Sequence, residues 1–367
     1  MDDRLLVATR KGLFTFQRGA NGWQEARREF IGEPLSMVLA DPRDETLYAA
    51  LNLGHFGCKL WRQRPGEAWQ EVAVPVYPPQ PDPLPTPKEG DAPPAPWTLQ
   101  QIWCLETGGA SEPGVLWAGT IPGGLFRSAD AGDSWELNRS LWDRPERARW
   151  FGGGYDWPGI HSVSVDPRDS QHLTVGVSCG GVWQSDDGGA NWRNTTAGMY
   201  ADYMPPELRE DGAIQDPHRL VQCPAQPDRL WVQHHNGIFT SADGGARWHD
   251  VPVKPSSFGF AVAVHPTQPD TAWFVPAVKD ECRVPVDGRF VVTRTRDGGA
   301  SFEVLDGGLP QGPAFDLVYR HGLAVDDDGV CLAMGSTTGG LWLSENGGDH
   351  WQCLSANLPP IYCVRFG

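Results

Sequence analysis

One phrase constrains this chain more than any other feature: Ser-x-Asp-x-Gly-x-x-Trp, which keeps returning. It runs through Ser128, Asp130, Gly132 and Trp135, then Ser185, Asp187, Gly189 and Trp192, then Ser241, Asp243, Gly245 and Trp248. Thr295, Asp297, Gly299 and Phe302 form a softer copy, and Ser344, Asn346, Gly348 and Trp351 another. Two worn copies keep mainly the aromatic: Trp23, and Gly66 with Trp69. That makes seven units, and self-similarity at a fixed period is the signature of a repeat architecture. The phrase suits a hairpin turn. The Asp carboxylate accepts backbone N–H groups, Gly supplies a positive φ, and Trp packs beneath its neighbour. These residues therefore read as structural.

The surroundings repeat as well. A strand ends near Asp-Pro, as in His161 to Asp166-Pro167, and a second follows, as in Val115 to Thr120. A Gly-Gly turn leads to a third strand, as in Gly123 to Arg127, and a fourth follows the Trp. Four short antiparallel strands in about 50 residues make one propeller blade. The segment Ile361 to Arg365 looks like a first strand with no blade behind it, and Leu5 to Thr9 begins at a second strand. Joined, they complete one blade and remove the open edges. The sequence thus predicts an all-β, seven-bladed β-propeller with four antiparallel strands per blade, closed by a joint N- and C-terminal blade and forming one domain over 1–367. Composition agrees, since 44 Gly and 33 Pro in 367 residues are hostile to helix interiors.

These motifs resemble the Asp-box (BNR) repeat superfamily over essentially the whole chain. Gly54-His55-Phe56-Gly57, Leu60-Trp61-Arg62, Trp231 to Gly237 and Phe258-Gly259-Phe260 look like one bacterial branch of it, labelled exo-alpha-sialidase or BNR-repeat glycosyl hydrolase. The resemblance implies the propeller fold, and a glycoside hydrolase with a carboxylate pair as one possible activity. The repeats do not reveal which acids would pair, because most acids near them belong to structural turns. Photosystem assembly factors are similar seven-bladed chains that bind protein, so a non-catalytic protein-binding propeller is another.

In a propeller the first strand of each blade lines the central channel. Five residues before the Asp of Asp-Pro, or before its replacement, stand Ser36, Gln101, His161, His218, Phe260 and His321. Three histidines in equivalent phase, in a chain with ten, point to a shared role. His235, at the end of a second strand, adds a fourth. Converging neutral imidazoles suit a divalent transition metal, Zn, Cu, Fe or Ni, with an open position for chemistry. The expected ligands are His161, His218, His235 and His321, with His55 at the rim. Glu106, Tyr155 and Asp156 are the candidates for acid or base. The blander reading has these histidines hydrogen-bonding carbonyls and channel waters. His265 occupies an Asp slot and reads as structural, and His172, His249 and His350 as surface.

Long insertions about 74–97, 141–159, 199–217 and 279–289 fall on the same, top face. The first carries ten prolines between Pro75 and Pro96. The second is rich in aromatics and arginines, and the fourth holds Asp280, Glu281 and Arg283. Aromatic loops over a polar centre fit a small polar or aromatic substrate handled by metal-assisted hydrolysis or lyase chemistry, though a protein partner would also fit. A net charge of −16 argues against a nucleic-acid partner, and no apolar run is long enough for a membrane span. The eight cysteines are scattered singly and the first residues form no secretory signal, so a reduced, cytoplasmic protein is expected.

Overall fold

The computed structural model describes residues 3–82, 88 and 91–367. Part of the 74–97 insertion therefore lies outside the described residues. The repeats fold into seven four-stranded antiparallel sheets. Their inner strands are Leu35–Ala40, Gln101–Thr107, Gly159–Val165, Pro217–Cys223, Gly259–Val264, Leu323–Val325 and Ile361–Phe366. The last of these is hydrogen-bonded beside Arg4–Thr9, in a sheet completed by Gly12–Gly19 and Gly22–Glu29. The two ends of the chain thus build the first blade together. Arg4 Nε donates to Gly367 O at 2.9 Å, and Arg10 N–H to Pro360 O at 2.9 Å. The other helical turns are short; no helix among the described residues is long and apolar enough to cross a membrane.

The repeated turn works through its hydroxyl as much as its acid. Ser241 Oγ donates to Asp243 Oδ1 and accepts the N–H groups of Asp243 and Gly245 at 3.4 and 2.9 Å. Asp243 Oδ1 accepts the Arg247 N–H at 3.0 Å. Gly132, Gly189, Gly245, Gly299 and Gly348 all lie between φ 88° and 97°, where a side chain would be strained. Ser241→Ala leaves two turn N–H groups without their acceptor. It is expected to cost about 1–2 kcal/mol, read from the urea midpoint at unchanged m-value.

In five blades the repeat tryptophan staples its blade to the one before it. Trp69 Nε1 donates to Glu29 Oε1 (2.7 Å), Trp135 to Ala73 O (2.9 Å), Trp192 to Asn138 Oδ1 (2.9 Å) and Trp248 to Thr195 O (2.7 Å). Trp23 reaches Glu345 Oε1 at 3.3 Å, which carries the pattern across the closure of the ring. Apolar side chains fill the spaces between sheets, with Trp183, Trp231, Trp248, Trp273 and Trp351 fully buried. All eight cysteines are free thiols.

The inner strands share an irregularity that positions the site. In six of them the pairing register slips near the start, so that Ser36, Trp103, His161, His218, Phe260 and Tyr362 bulge from the ladder. A bulge re-aims its side chain. In the seventh blade His321 takes the equivalent place and bridges to Cys363 on the neighbouring inner strand. The expected alignment is corrected in one blade. Gly108, not Glu106, occupies the Asp slot there: its N–H donates to Val115 O at 2.8 Å, as the Asp166 N–H does to His172 O at 3.0 Å. The ring position is therefore Trp103 rather than Gln101.

Candidate functional site

The bulged ring opens into a pocket of about 540 Å³ on the propeller axis. Ser36, Trp103, His321 and Tyr362 supply the floor, and Arg10, Asn52, Tyr155, Arg283, Tyr319 and Arg320 the walls. Tyr155 comes from the aromatic insertion and Arg283 from the acidic one, so two predicted loops do reach the axis. Tyr155 Oη donates to Gln101 Oε1 at 3.4 Å, and Asn52 Nδ2 donates to the same oxygen at 3.0 Å. The Tyr155 ring stands edge-on to Trp103 at 5.0 Å.

Charge is the pocket's distinguishing property. Three arginines line it, and no Asp or Glu is among the lining residues. Arg320 is buried, with its guanidinium 4.5 Å from the Trp103 ring and 5.4 Å from that of Phe260. Its Nε and Nη2 have no hydrogen-bond partner. Burial pushes the Arg320 pKa down, while Asp216 and Tyr155 act in the opposite sense. Neighbouring His321 is also buried with both ring nitrogens unpartnered, and burial followed by the charges of Arg219 and Arg365 keeps it neutral. Orphaned buried polar atoms of this kind are ordinarily satisfied by a water, an ion or a ligand.

Beside the pocket, behind the loop at Gly153, lies a second constellation. Asp216, His218 and His235 offer three ligand atoms within 4.8 Å of one another. Asp216 Oδ2 is 3.3 Å from His218 Nε2 and 3.5 Å from His235 Nδ1. Its other oxygen accepts Ser178 Oγ at 3.1 Å and the Cys179 N–H at 3.0 Å. Burial opposes the Asp216 charge, but His218, His235 and Arg320 outweigh it and hold the carboxyl well below the usual range. Burial pushes His218 below the ordinary imidazole value, against the pull of Asp216. Burial acts the same way on His235, but there Asp216, Asp280 and Glu281 win and raise it.

The four histidines expected as metal ligands do not meet at one point. His218 and His235 share the Asp216 cluster. His161 is committed elsewhere, with Nε2 2.6 Å from Pro217 O and Nδ1 2.9 Å from Ser162 Oγ. His321 lines the axial pocket, apart from the cluster. Glu106 lies further along its inner strand than the pocket-lining Trp103 and is ion-paired with Arg365. Asp156 is exposed on its loop, while the adjacent Tyr155 and Gly154 line the pocket. His55 packs against Phe56 in a tilted pair at 3.9 Å, outside the lining set. His265 does replace an Asp, its Nδ1 accepting the Thr267 and Gln268 N–H groups at 3.1 and 3.2 Å. Sequence reasoning missed Asp216 and Arg320, each of which stands next to a singled-out position: Asp216 two residues before His218, and Arg320 just before His321.

Fold and site together define a seven-bladed propeller with a cationic, aromatic-walled pocket at its axis. No family model matches the chain. It is similar to a probable oligoxyloglucan-reducing end-specific xyloglucanase of Neosartorya fischeri, 25% identical over 284 residues that cover 70% of this chain and 32% of that protein. It is also similar to a xyloglucanase of Acetivibrio thermocellus, 24% identical over 254 residues, 63% of this chain and 28% of that one. The chain thus spans about a third of the length of these relatives. Among solved structures it resembles an ancestral GH74 enzyme, with a TM-score of 0.60 at 16% identity, covering 87% of this chain and 38% of that one. YCF48 from Cyanidioschyzon merolae superimposes with a TM-score of 0.53 at 12% identity, covering 88% and 86%. At such identities the structural likenesses speak for the fold alone.

Proposed function

We propose that this propeller is a glycoside hydrolase that takes an acidic saccharide into the axial pocket. The hydrolase class is supported by the xyloglucanase relatives, which align with 63–70% of the chain. The observation that carries the choice of substrate is Arg320, buried in the pocket wall with two unpartnered guanidinium nitrogens. A neutral glucan would offer hydroxyl acceptors but no charge to compensate the buried guanidinium. A carboxylate on the sugar supplies the counter-charge to the Arg320 guanidinium, with Arg10 and Arg283 in the pocket lining adding attraction. Trp103, Tyr319 and Tyr362 then offer flat apolar faces to the sugar ring.

The usual pair of catalytic carboxylates is not what lines this pocket. Glu106 is held by Arg365, and Asp156 points to solvent from its loop. Tyr155 is the reactive group in this proposal. Its hydroxyl lies in the pocket wall within electrostatic reach of Arg320. A tyrosine nucleophile in place of a carboxylate is an accepted exception among glycosidases.

The test is hydrolysis of fluorogenic glycosides of uronic and other carboxylated sugars, with neutral glycosides and xyloglucan oligosaccharides in parallel. Release from acidic substrates above neutral ones is expected, and Tyr155→Phe is expected to lower kcat by about 100-fold or more with little change in KM. Turnover of neutral oligosaccharides alone, or full activity in Tyr155→Phe, overturns the assignment.

A further inference from the structure

We propose that Asp216, His218 and His235 form a binding site for one divalent first-row transition metal ion, supplying Asp216 Oδ2, His218 Nε2 and His235 Nδ1. The proposal is independent of the saccharide reading, because it rests on different residues.

The argument begins with the lone pairs. His218 Nδ1 lies 2.7 Å from Gly259 O, so that nitrogen carries the proton and donates it. In a neutral ring the opposite nitrogen, Nε2, is then a bare acceptor. It faces Asp216 Oδ2, also an acceptor, at 3.3 Å. Two acceptors hold that separation only if a cation or a second proton lies between them. The separations match ligands around one ion, since two donor atoms each about 2.0–2.1 Å from a tetrahedral metal lie roughly 3.3–3.4 Å apart. A metal ion removes the conflict, and it brings His235 Nδ1, 3.5 Å from the same oxygen, into the same shell.

The supporting partners are those of a metal site. A backbone carbonyl orients a ligating imidazole by taking its other N–H, as Gly259 O does here. A ligating carboxylate is fixed through its second oxygen, as Ser178 Oγ and Cys179 N–H fix Asp216. Phe258 and Phe260 wall the His218 ring, with Phe260 stacked on it at 4.4 Å. The Tyr203 ring covers His235 at 4.7 Å. Arg320 is the opposing charge felt by Asp216, while Asp280 and Glu281 on the neighbouring blade offset it at His235. Two imidazoles and one carboxylate select Zn, Fe, Co, Ni or Cu over Mg or Ca, and leave at least one coordination position open.

The test uses untagged full-length chain, dialysed first against chelator and then against Zn²⁺ or Co²⁺, without saccharide. Elemental analysis should give about one equivalent, and bound Co²⁺ should show the ligand-field bands of an N/O site. His235→Ala should weaken Co²⁺ binding at least about 10-fold, whereas the surface variant His249→Ala should not. If Asp216→Asn fails to fold, His235→Ala still decides, since the side chain it removes is 26% exposed. Absence of a retained equivalent, or unchanged affinity in His235→Ala, overturns the proposal. Metal retained by a chain that cleaves no glycoside would leave this inference standing and remove the other.

Discussion

Arg320→Met is expected to abolish recognition of acidic saccharides without weakening the fold. Truncating one partner of a buried, hydrogen-bonded charge pair costs about 2–5 kcal/mol of binding, or roughly 30- to 5,000-fold in affinity. The effect should be confined to ligands that carry a carboxylate. Stability should move the other way or not at all. In the free protein Arg320 is buried with Nε and Nη2 unpartnered, between the Trp103 and Phe260 rings. Methionine fills a similar volume and removes the orphaned donors, which offsets the loss of the guanidinium's attraction for Asp216. The diagnostic result combines an unchanged or higher melting temperature with loss of the thermal shift that an acidic saccharide gives the parent chain. A variant that melts earlier while keeping that shift would make Arg320 a structural strut and sink its recognition role.

Trp248→Ala carries the largest expected stability effect. The indole is 1% exposed and donates to Thr195 O at 2.7 Å, joining the fifth blade to the end of the fourth. Deleting a buried Trp costs about 3–5 kcal/mol. Trp248→Phe separates the two contributions: it keeps most of the packing and gives up the hydrogen bond, so about 1 kcal/mol is expected. Phe302, which stands at the same place in the sixth blade, shows that the turn tolerates a ring without the N–H. Urea denaturation of both variants checks the prediction. Equal losses would mean that the staple, rather than the buried ring, dominates.

The fold was legible because its determinants are local and repeated. Each turn declares itself through Ser, Asp, Gly and Trp at fixed offsets, and the strand at 361–366 announces the joint blade by having no blade behind it. The site was legible only in part. The phase argument found five of the seven ring positions, His321 among them, but placed Gln101 where Trp103 stands, because Glu106 imitated the Asp of the repeat. It also treated equivalent phase as shared destination. His161, His218 and His321 do occupy one ring, yet each ring nitrogen is claimed by what its own neighbours offer: Pro217 O, Asp216, or nothing. Pro217 O reaches His161 from the next blade, and no spacing in the sequence records it, while Asp216 stands two residues before His218 with nothing local to show its carboxylate turning back onto that ring. Arg320 was overlooked for a related reason. Arginine in a loop is ordinarily solvated, and only tertiary structure reveals one lying between two aromatic rings.

The joint blade has a consequence for biosynthesis. Arg4–Thr9 leaves the ribosome before every other strand of the ring, but its inner neighbour, Ile361–Phe366, emerges after all of them. Until then the early strand keeps an unpaired edge. The pocket is subject to the same delay, since Arg10 and Tyr362 lie on its wall and floor and come from opposite ends of the chain. A nascent chain arrested before residue 361 would contain six complete sheets and still have no finished pocket. Ligand binding therefore reports a closed ring as well as correctly folded blades.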